Sequence, residues 1–238
     1  MIRLFVEQDL DAGSQVTLGE KQAHYLLHVM RGKPGDEVLL FNGRSGEWRG
    51  TLEILKKSAQ IRLSSQTRPQ VKEPDLWLCF APIKRGHGDL VVEKAAELGI
   101  SPLVPVITQR TVVSRVPIDR YAAIATEAAE QCERLTVPAV VESQPLAALL
   151  AGWDSKRALI LCAEAGDARP FPEAVSGLKS ESYAVITGPE GGFTPEEFQL
   201  LRAQSFVTPV RLGPRILRAD TAGIAALTLL QALKGDWK

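Results

Sequence analysis

From about residue 75 onward the sequence alternates short apolar runs with amphipathic helical patterns, and this restricts the fold more than any other feature. Residues 76–83, 103–107, 158–163, 183–187 and 207–212 read as strands apolar enough to be buried on both faces, with a shorter strand at 139–142. Helical spacing occupies 89–98, closed by Gly99, then 118–135, 195–203 and 221–233. Alternation of this kind predicts a parallel sheet covered by helices on both faces. Ligands are expected off the carboxyl ends of its strands.

The first 70 residues have a different rhythm. Short alternating runs (residues 3–6, 37–41, 49–55 and 60–63) are punctuated by Asn42-Gly43 and Ser45-Gly46, which predicts a small, mostly β, barrel-like unit. One helix interrupts it at 20–30, before Gly32, Pro34 and Gly35. The polar, proline-bearing stretch 64–74 reads as a linker, so the domains are expected at 1–72 and 73–238.

The 238 residues hold 28 basic and 28 acidic side chains, which argues against a chain dominated by polyanion binding. The balance is uneven, because residues 1–72 carry a net excess of three positive charges. A polyanion partner is therefore expected at the front of the chain. Cys79, Cys132 and Cys162 are odd in number and unpaired in spacing, which predicts reduced, buried thiols in a cytoplasmic protein. The early acidic residues and the charges Arg218 and Asp220 in the longest apolar C-terminal segment predict no export signal and no membrane span.

Two segments carry chemistry. Thr187-Gly188-Pro189-Glu190-Gly191-Gly192-Phe193-Thr194-Pro195 joins a buried strand to a helix start, with Thr194 placed to cap and Glu197 three residues on. It lacks the spacing of nucleotide-phosphate loops, and Glu190 would repel a pyrophosphate, so a phosphate-free ligand is expected. The second, Leu212-Gly213-Pro214-Arg215-Ile216-Leu217-Arg218-Ala219-Asp220-Thr221, leads another strand into the last helix and groups apolar residues with polar hooks. A third loop, 162–167, follows the strand at 158. His24 and His28 are four apart without a third ligand in register, so no metal is expected. His87, between Gly86 and Gly88, has no role that the sequence fixes.

These two segments resemble the paired C-terminal motifs of the bacterial 16S ribosomal RNA (uracil-N3) methyltransferases, members of the SPOUT superfamily. Lys94 to Ile100, Thr108 to Val113, Glu127 to Arg134 with Pro138, and Arg3 to Val6 with His24 and Val29 to Arg31 are similar to that family's landmarks in the same order. The resemblance implies a PUA-like β-barrel at 1–72 that binds RNA. It also implies an α/β SPOUT domain at 73–238 with a trefoil knot over roughly 158–238, and a homodimer acting on 16S rRNA of the 30S subunit. S-adenosylmethionine is then expected at Leu161, Cys162, Glu164, Thr187, Gly188, Pro189, Glu190, Gly191, Gly192, Leu212, Gly213, Ile216 and Leu217. Arg218 is expected to stabilise a uracil anion, with Glu190, Asp220 or a water taking the N3 proton. RNA contacts are expected from Arg3, His24, Arg31, Lys84, Arg110 and Arg134. Two departures from the family pattern stand out: Asp220 where a glutamate is usual, and the loop from Arg85 to Gly88. A ribose 2′-O-methyltransferase of the same superfamily and a non-catalytic RNA-binding protein are the alternatives.

Overall fold

The alternating runs at the front of the chain pair into a five-stranded sheet. In the computed structural model, which describes residues 1–56, 58–84, 86–163 and 168–237, its strands are β1 (Ile2–Phe5), β2 (Gln15–Thr17), β3 (Glu37–Phe41), β4 (Glu47–Ile54) and β5 (Ala59–Arg68). Their order is β1-β3-β4-β5-β2, with β1 parallel to β3 and the other pairs antiparallel. The ladder therefore has two edges, β1 and β2, where the sequence suggests a barrel. Period-2 alternation buries Leu4, Val38, Leu40, Leu52, Ile61 and Leu63 in one core with Leu26. The helix expected at 20–30 begins as α1 (Glu20–His24), widens into a π-helical turn at Tyr25–Val29, and is followed by Arg31 with a positive φ of 56°.

The linker is shorter than expected. Residues 64–68 continue β5 and pair with β4, Gln66 opposite Trp48 and Arg68 opposite Glu47. Ser64, Ser65, Gln66 and Thr67 are solvent-exposed, so this part of the strand carries no apolar face and looks like a linker in sequence. The unit built on this sheet comprises Met1–Lys72 together with Ala129–Val137, so it draws on a second, later stretch of chain. Phe41, Ala129 and Leu135 form a small core there, with Phe5 and Val137 against it. Arg3 is only 7% exposed. Its Nε donates to Glu47 Oε2 at 2.5 Å, and its terminal nitrogens donate to the carbonyls of Ala129 and Arg134 at 2.8 and 2.6 Å. Arg3 is thus consumed inside the unit and is not an RNA-facing cation. Arg134 is also buried, its Nε donating to Thr136 Oγ1, so the same correction applies to it.

The second unit comprises Glu73–Ala128 and Pro138–Lys238. Its strands are β6 (Leu76–Phe80), β7 (Leu103–Ile107), β8 (Gln144–Pro145), β9 (Arg157–Cys162), β10 (Arg169–Pro170), β11 (Ser182–Thr187) and β12 (Val207–Arg211). They form one sheet of order β10-β12-β9-β11-β6-β7-β8 in which every pair is parallel. Its helices are α2 (His87–Glu97), α3 (Ile118–Gln131, the last three residues of which belong to the first unit), α4 (Leu146–Ala151), α5 (Phe171–Ser176), α6 (Pro195–Arg202) and α7 (Ala219–Lys234). Leu159, Leu161, Ala184 and Ile186 share a core with Leu146, Leu149 and Leu150 of α4 and Leu201 of α6. α7 packs along β11, β6 and β9 and against α2 and α5.

Three expectations are corrected here. α3 stops at Gln131, and Glu133 adopts a left-handed φ of 61°, which ends the helix before 135. The strand expected at 139–142 is a single bridge between Val140 and Leu103. Cys132 is exposed, whereas Cys79 is buried and Cys162 partly so, and all three thiols are free. Among the described residues no helix is long and apolar enough to cross a membrane, and no three candidate metal ligands group together.

Candidate active site

β11 delivers its chain to the glycine loop, and two interactions fix where the loop ends. Thr194 Oγ1 accepts from the amide of Glu197 at 3.3 Å, and Glu197 Oε2 accepts from the amide of Thr194 at 3.0 Å, closing a capping box with Pro195 in the first helical turn. The other Glu197 oxygen accepts from the amide of Gln109 at 2.7 Å, which ties the loop after β7 to the start of α6. Next to it, Arg110 Nη1 donates to the Gly191 carbonyl at 2.7 Å. Arg110 thus shapes the glycine loop, a use of the side chain that its positive charge alone does not reveal. Its replacement by alanine removes a hydrogen bond at an exposed site, worth about 1 kcal/mol. Calorimetry is expected to show roughly a fivefold weaker affinity for a ligand held by this loop.

The carboxyl ends of β9, β11 and β12 enclose a first cavity of about 320 Å³. Its lining includes Cys162, Thr187, Gly188, Pro189, Leu212, Gly213, Ile216 and Leu217, each expected from sequence. It also takes in Ala163, Pro214, Arg215 and Ala219 from the segments singled out above, and Ala168, Arg211 and Ala222 beyond them. The small alanines carry no chemical signal of their own. Gly213 has a φ of 112°, a conformation L side chains rarely adopt, and a Cβ built there meets nothing within 4 Å. A cradle of backbone with an apolar floor and two arginines suits a zwitterionic ligand of small-molecule size, whose carboxylate the arginines can pair.

Four residues, Pro189, Ile216, Leu217 and Ala219, also line a second cavity of about 490 Å³. Arg218, Glu190 and Asp220, the three expected catalytic residues, all line it, together with Lys84 and His87. Arg218 is exposed, and its side chain makes no hydrogen bond or ion pair with the described residues; it sits at the start of α7 without capping it. Glu190 Oε1 accepts from the Lys84 amide at 3.3 Å. Asp220 is almost buried, and both its oxygens are engaged. Oδ1 accepts from the Thr221 amide at 2.7 Å, and Oδ2 lies 2.6 Å from His87 Nδ1. Burial pushes its carboxyl up, but the hydrogen bonds from His87 and Thr221 outweigh this and leave it below the usual aspartate value.

The remaining expected residues fall elsewhere. Leu161 is fully buried in β9 and belongs to the core. Gly191 and Gly192 line a third, smaller hollow with Arg110 and Phe193, which shares Cys162 and Gly188 with the first. Glu190 belongs to the second cavity and not the first. Glu164 and the rest of its loop, 164–167, lie outside the described residues, as does Arg85. His24 and Arg31 are exposed on the first unit, and the rings of His24 and His28 are 4.9 Å apart.

A parallel α/β sheet with two adjoining cavities off its carboxyl edge is a framework for binding small ligands. Residues 71–231 match the family model described as the RNA methyltransferase domain, and residues 18–64 match that of the RNA methyltransferase PUA domain. The chain belongs to the ribosomal RNA small subunit methyltransferase E family. It is 32% identical to that enzyme from Rickettsia conorii over 97% of this chain and 95% of the relative, and 29% identical to the one from Bacillus subtilis over 99% and 100%. Its fold is similar to a crystal structure of a ribosomal RNA small subunit methyltransferase E from Neisseria gonorrhoeae bound to S-adenosyl methionine. The TM-score is 0.89, at 27% identity over 100% of both chains.

Proposed function

We propose that this chain methylates N3 of a specific uridine in 16S rRNA of the small ribosomal subunit, using S-adenosylmethionine. The observation that carries this reading is the pair of cavities with a common wall at Pro189, Ile216, Leu217 and Ala219, the first a backbone cradle and the second lined by Arg218. S-adenosylmethionine supplies, when bound, an electrophilic methyl group on a sulfonium. The residues of the first cavity would hold it, with Arg211 and Arg215 available to its carboxylate. Holding donor and acceptor at close range across one wall accounts for much of the expected rate.

Arg218 then acts on the acceptor. A guanidinium stays protonated at any working pH and so donates hydrogen bonds without taking the proton. Aimed at the uracil carbonyls, it stabilises the anion left when N3 loses its hydrogen. The acceptor edge has to be free of pairing, which favours an unpaired or opened nucleotide.

The same reading carries four wider proposals. The first unit binds RNA through exposed groups such as His24 and Arg31, in keeping with its match to a PUA domain. The segment 158–238 is threaded as a trefoil knot, a reading supported by the central placement of β9 and β11 between β12 and β6. Two copies associate, and Ile216, 79% exposed beside both cavities, supports this. The reaction takes place in the cytoplasm, where ribosomal subunits are found.

Nucleoside mass spectrometry on 30S subunits from a strain lacking this gene, incubated with the protein and methyl-labelled S-adenosylmethionine, tests the reading. Label is expected in 3-methyluridine. Label on a ribose would assign the sister activity, and no label on subunits or naked rRNA would leave an RNA-binding protein.

A further inference from the structure

We infer that His87 is the proton acceptor for uracil N3 and that Asp220 is the residue that positions it, an assignment that rests on the methyltransferase reading above. Three observations carry it. Both oxygens of Asp220 are engaged, one by the Thr221 amide and the other lying 2.6 Å from His87 Nδ1. Its carboxyl is held ionised, so it accepts, and Nδ1 carries the hydrogen of the neutral ring. That tautomer leaves the lone pair on Nε2. His87 lines the same cavity as Arg218, its side chain is half exposed, and Nε2 has no partner among the described residues.

The backbone fixes the ring at this place. His87 is the first residue of α2, and Gly88 follows it because a Cβ there would lie 2.5 Å from the Tyr121 hydroxyl. The start of α2 is therefore pressed against Tyr121. The charged groups around the ring oppose one another. Lys84 and Arg218 bring positive charge to the cavity that the ring lines, and Asp220 and Glu190 bring negative charge. Asp89, farther along α2, is paired with Arg120 of α3. A ring with one nitrogen held by Asp220 and the other open to the cavity is placed to act as a base.

The step balances as follows. The N3–H bond of uracil breaks and its proton passes to Nε2. The electron pair left on N3 forms the bond to the methyl carbon, and the carbon–sulfur bond breaks with its pair retained by sulfur, giving a neutral thioether. The imidazolium then releases its proton to solvent through its exposed edge.

The test is the pH dependence of single-turnover methyl transfer to 30S subunits, with ring-nitrogen NMR of the free enzyme. His87→Asn is expected to lower the rate at neutral pH roughly 100-fold or more, to leave S-adenosylmethionine affinity within about twofold by calorimetry, and to move the plateau of the profile to alkaline pH. Asp220→Asn is expected to lower the rate roughly tenfold, with its own displaced profile, which a purely structural role would not produce. In the NMR spectrum, Nδ1 of the neutral ring should carry hydrogen in the wild type and lose that preference in Asp220→Asn. A bare Nδ1 in the wild type would overturn the assignment, as would a His87→Asn profile that keeps the wild-type plateau. Glu190→Gln removing the plateau in its place would give the role to Glu190. Wild-type enzyme that forms no 3-methyluridine would overturn the methyltransferase reading together with this inference, whereas an active wild type with an unchanged variant overturns the inference alone.

Discussion

Arg218→Ala is expected to slow methyl transfer roughly 100- to 1,000-fold in kcat while S-adenosylmethionine affinity and thermal stability stay close to wild type. The three parts of this expectation have separate causes. Arg218 lines the second cavity and not the first, so the cavity proposed to hold S-adenosylmethionine keeps all its walls. Its side chain caps nothing at the start of α7 and holds no described residue, so its loss leaves the fold intact. On the function proposed above, what disappears is the planar donor to the uracil, whose value is realised when negative charge develops on O2 and O4. Arg218→Lys keeps the charge but loses the planar fork, and should recover only part of the rate. Single-turnover rates at saturating RNA decide the matter. A loss confined to KM for the RNA would make Arg218 a phosphate contact instead of a transition-state group.

The sequence makes the strands of the second unit legible because they are apolar on both faces, and the glycine loop legible because cap and helix start stand together at 194–197. The structure brings the three residues expected to be catalytic, Arg218, Glu190 and Asp220, to one cavity. Other features depend on distant partners and leave no local trace. The outer half of β5 is polar because solvent flanks it, so it looks like a linker until its pairing with Glu47 and Trp48 is seen. α4 and α5 are six residues each, too short for helical periodicity to declare them. His87 has glycine on both sides and no motif around it; its partner Asp220 lies 133 positions away. Glu190 looks like a cofactor residue because it sits among the loop's glycines, yet the chain turns its carboxylate toward Lys84 and the neighbouring cavity.

Arg3 shows the same difficulty with the largest consequence for stability. Its charge near the start of a positively charged segment suggests RNA, but the guanidinium lies 3.9 Å over the Phe41 ring and its donors are spent on Glu47 and on carbonyls 126 and 131 positions away. Glu47 also accepts from Arg68 at 2.8 Å and from Thr67 at 2.8 Å. Burial pushes the Glu47 carboxyl up, but the hydrogen bonds from Arg68, Arg3 and Thr67 outweigh it and hold the value at about 2, against an ordinary 4.5. A carboxyl whose value is lowered on folding stabilises the protein above its unfolded value, and that contribution is lost as pH falls through the folded one. The Glu47 contribution should therefore be complete above about pH 4.5 and fade toward pH 2, amounting to about 3 kcal/mol. Arg3→Ala should cost about 2–3 kcal/mol at neutral pH, because the buried Glu47 carboxylate loses one of its two guanidinium partners, keeping Arg68 and Thr67, and two carbonyls lose their Arg3 donors. Glu47→Gln keeps the shape of the side chain but removes the charge, so urea titrations at successive pH values should show most of the acid dependence between 4.5 and 2 gone. An unchanged pH dependence in that variant would mean that other carboxylates govern acid unfolding and that the Arg3–Glu47 pair contributes shape rather than charge.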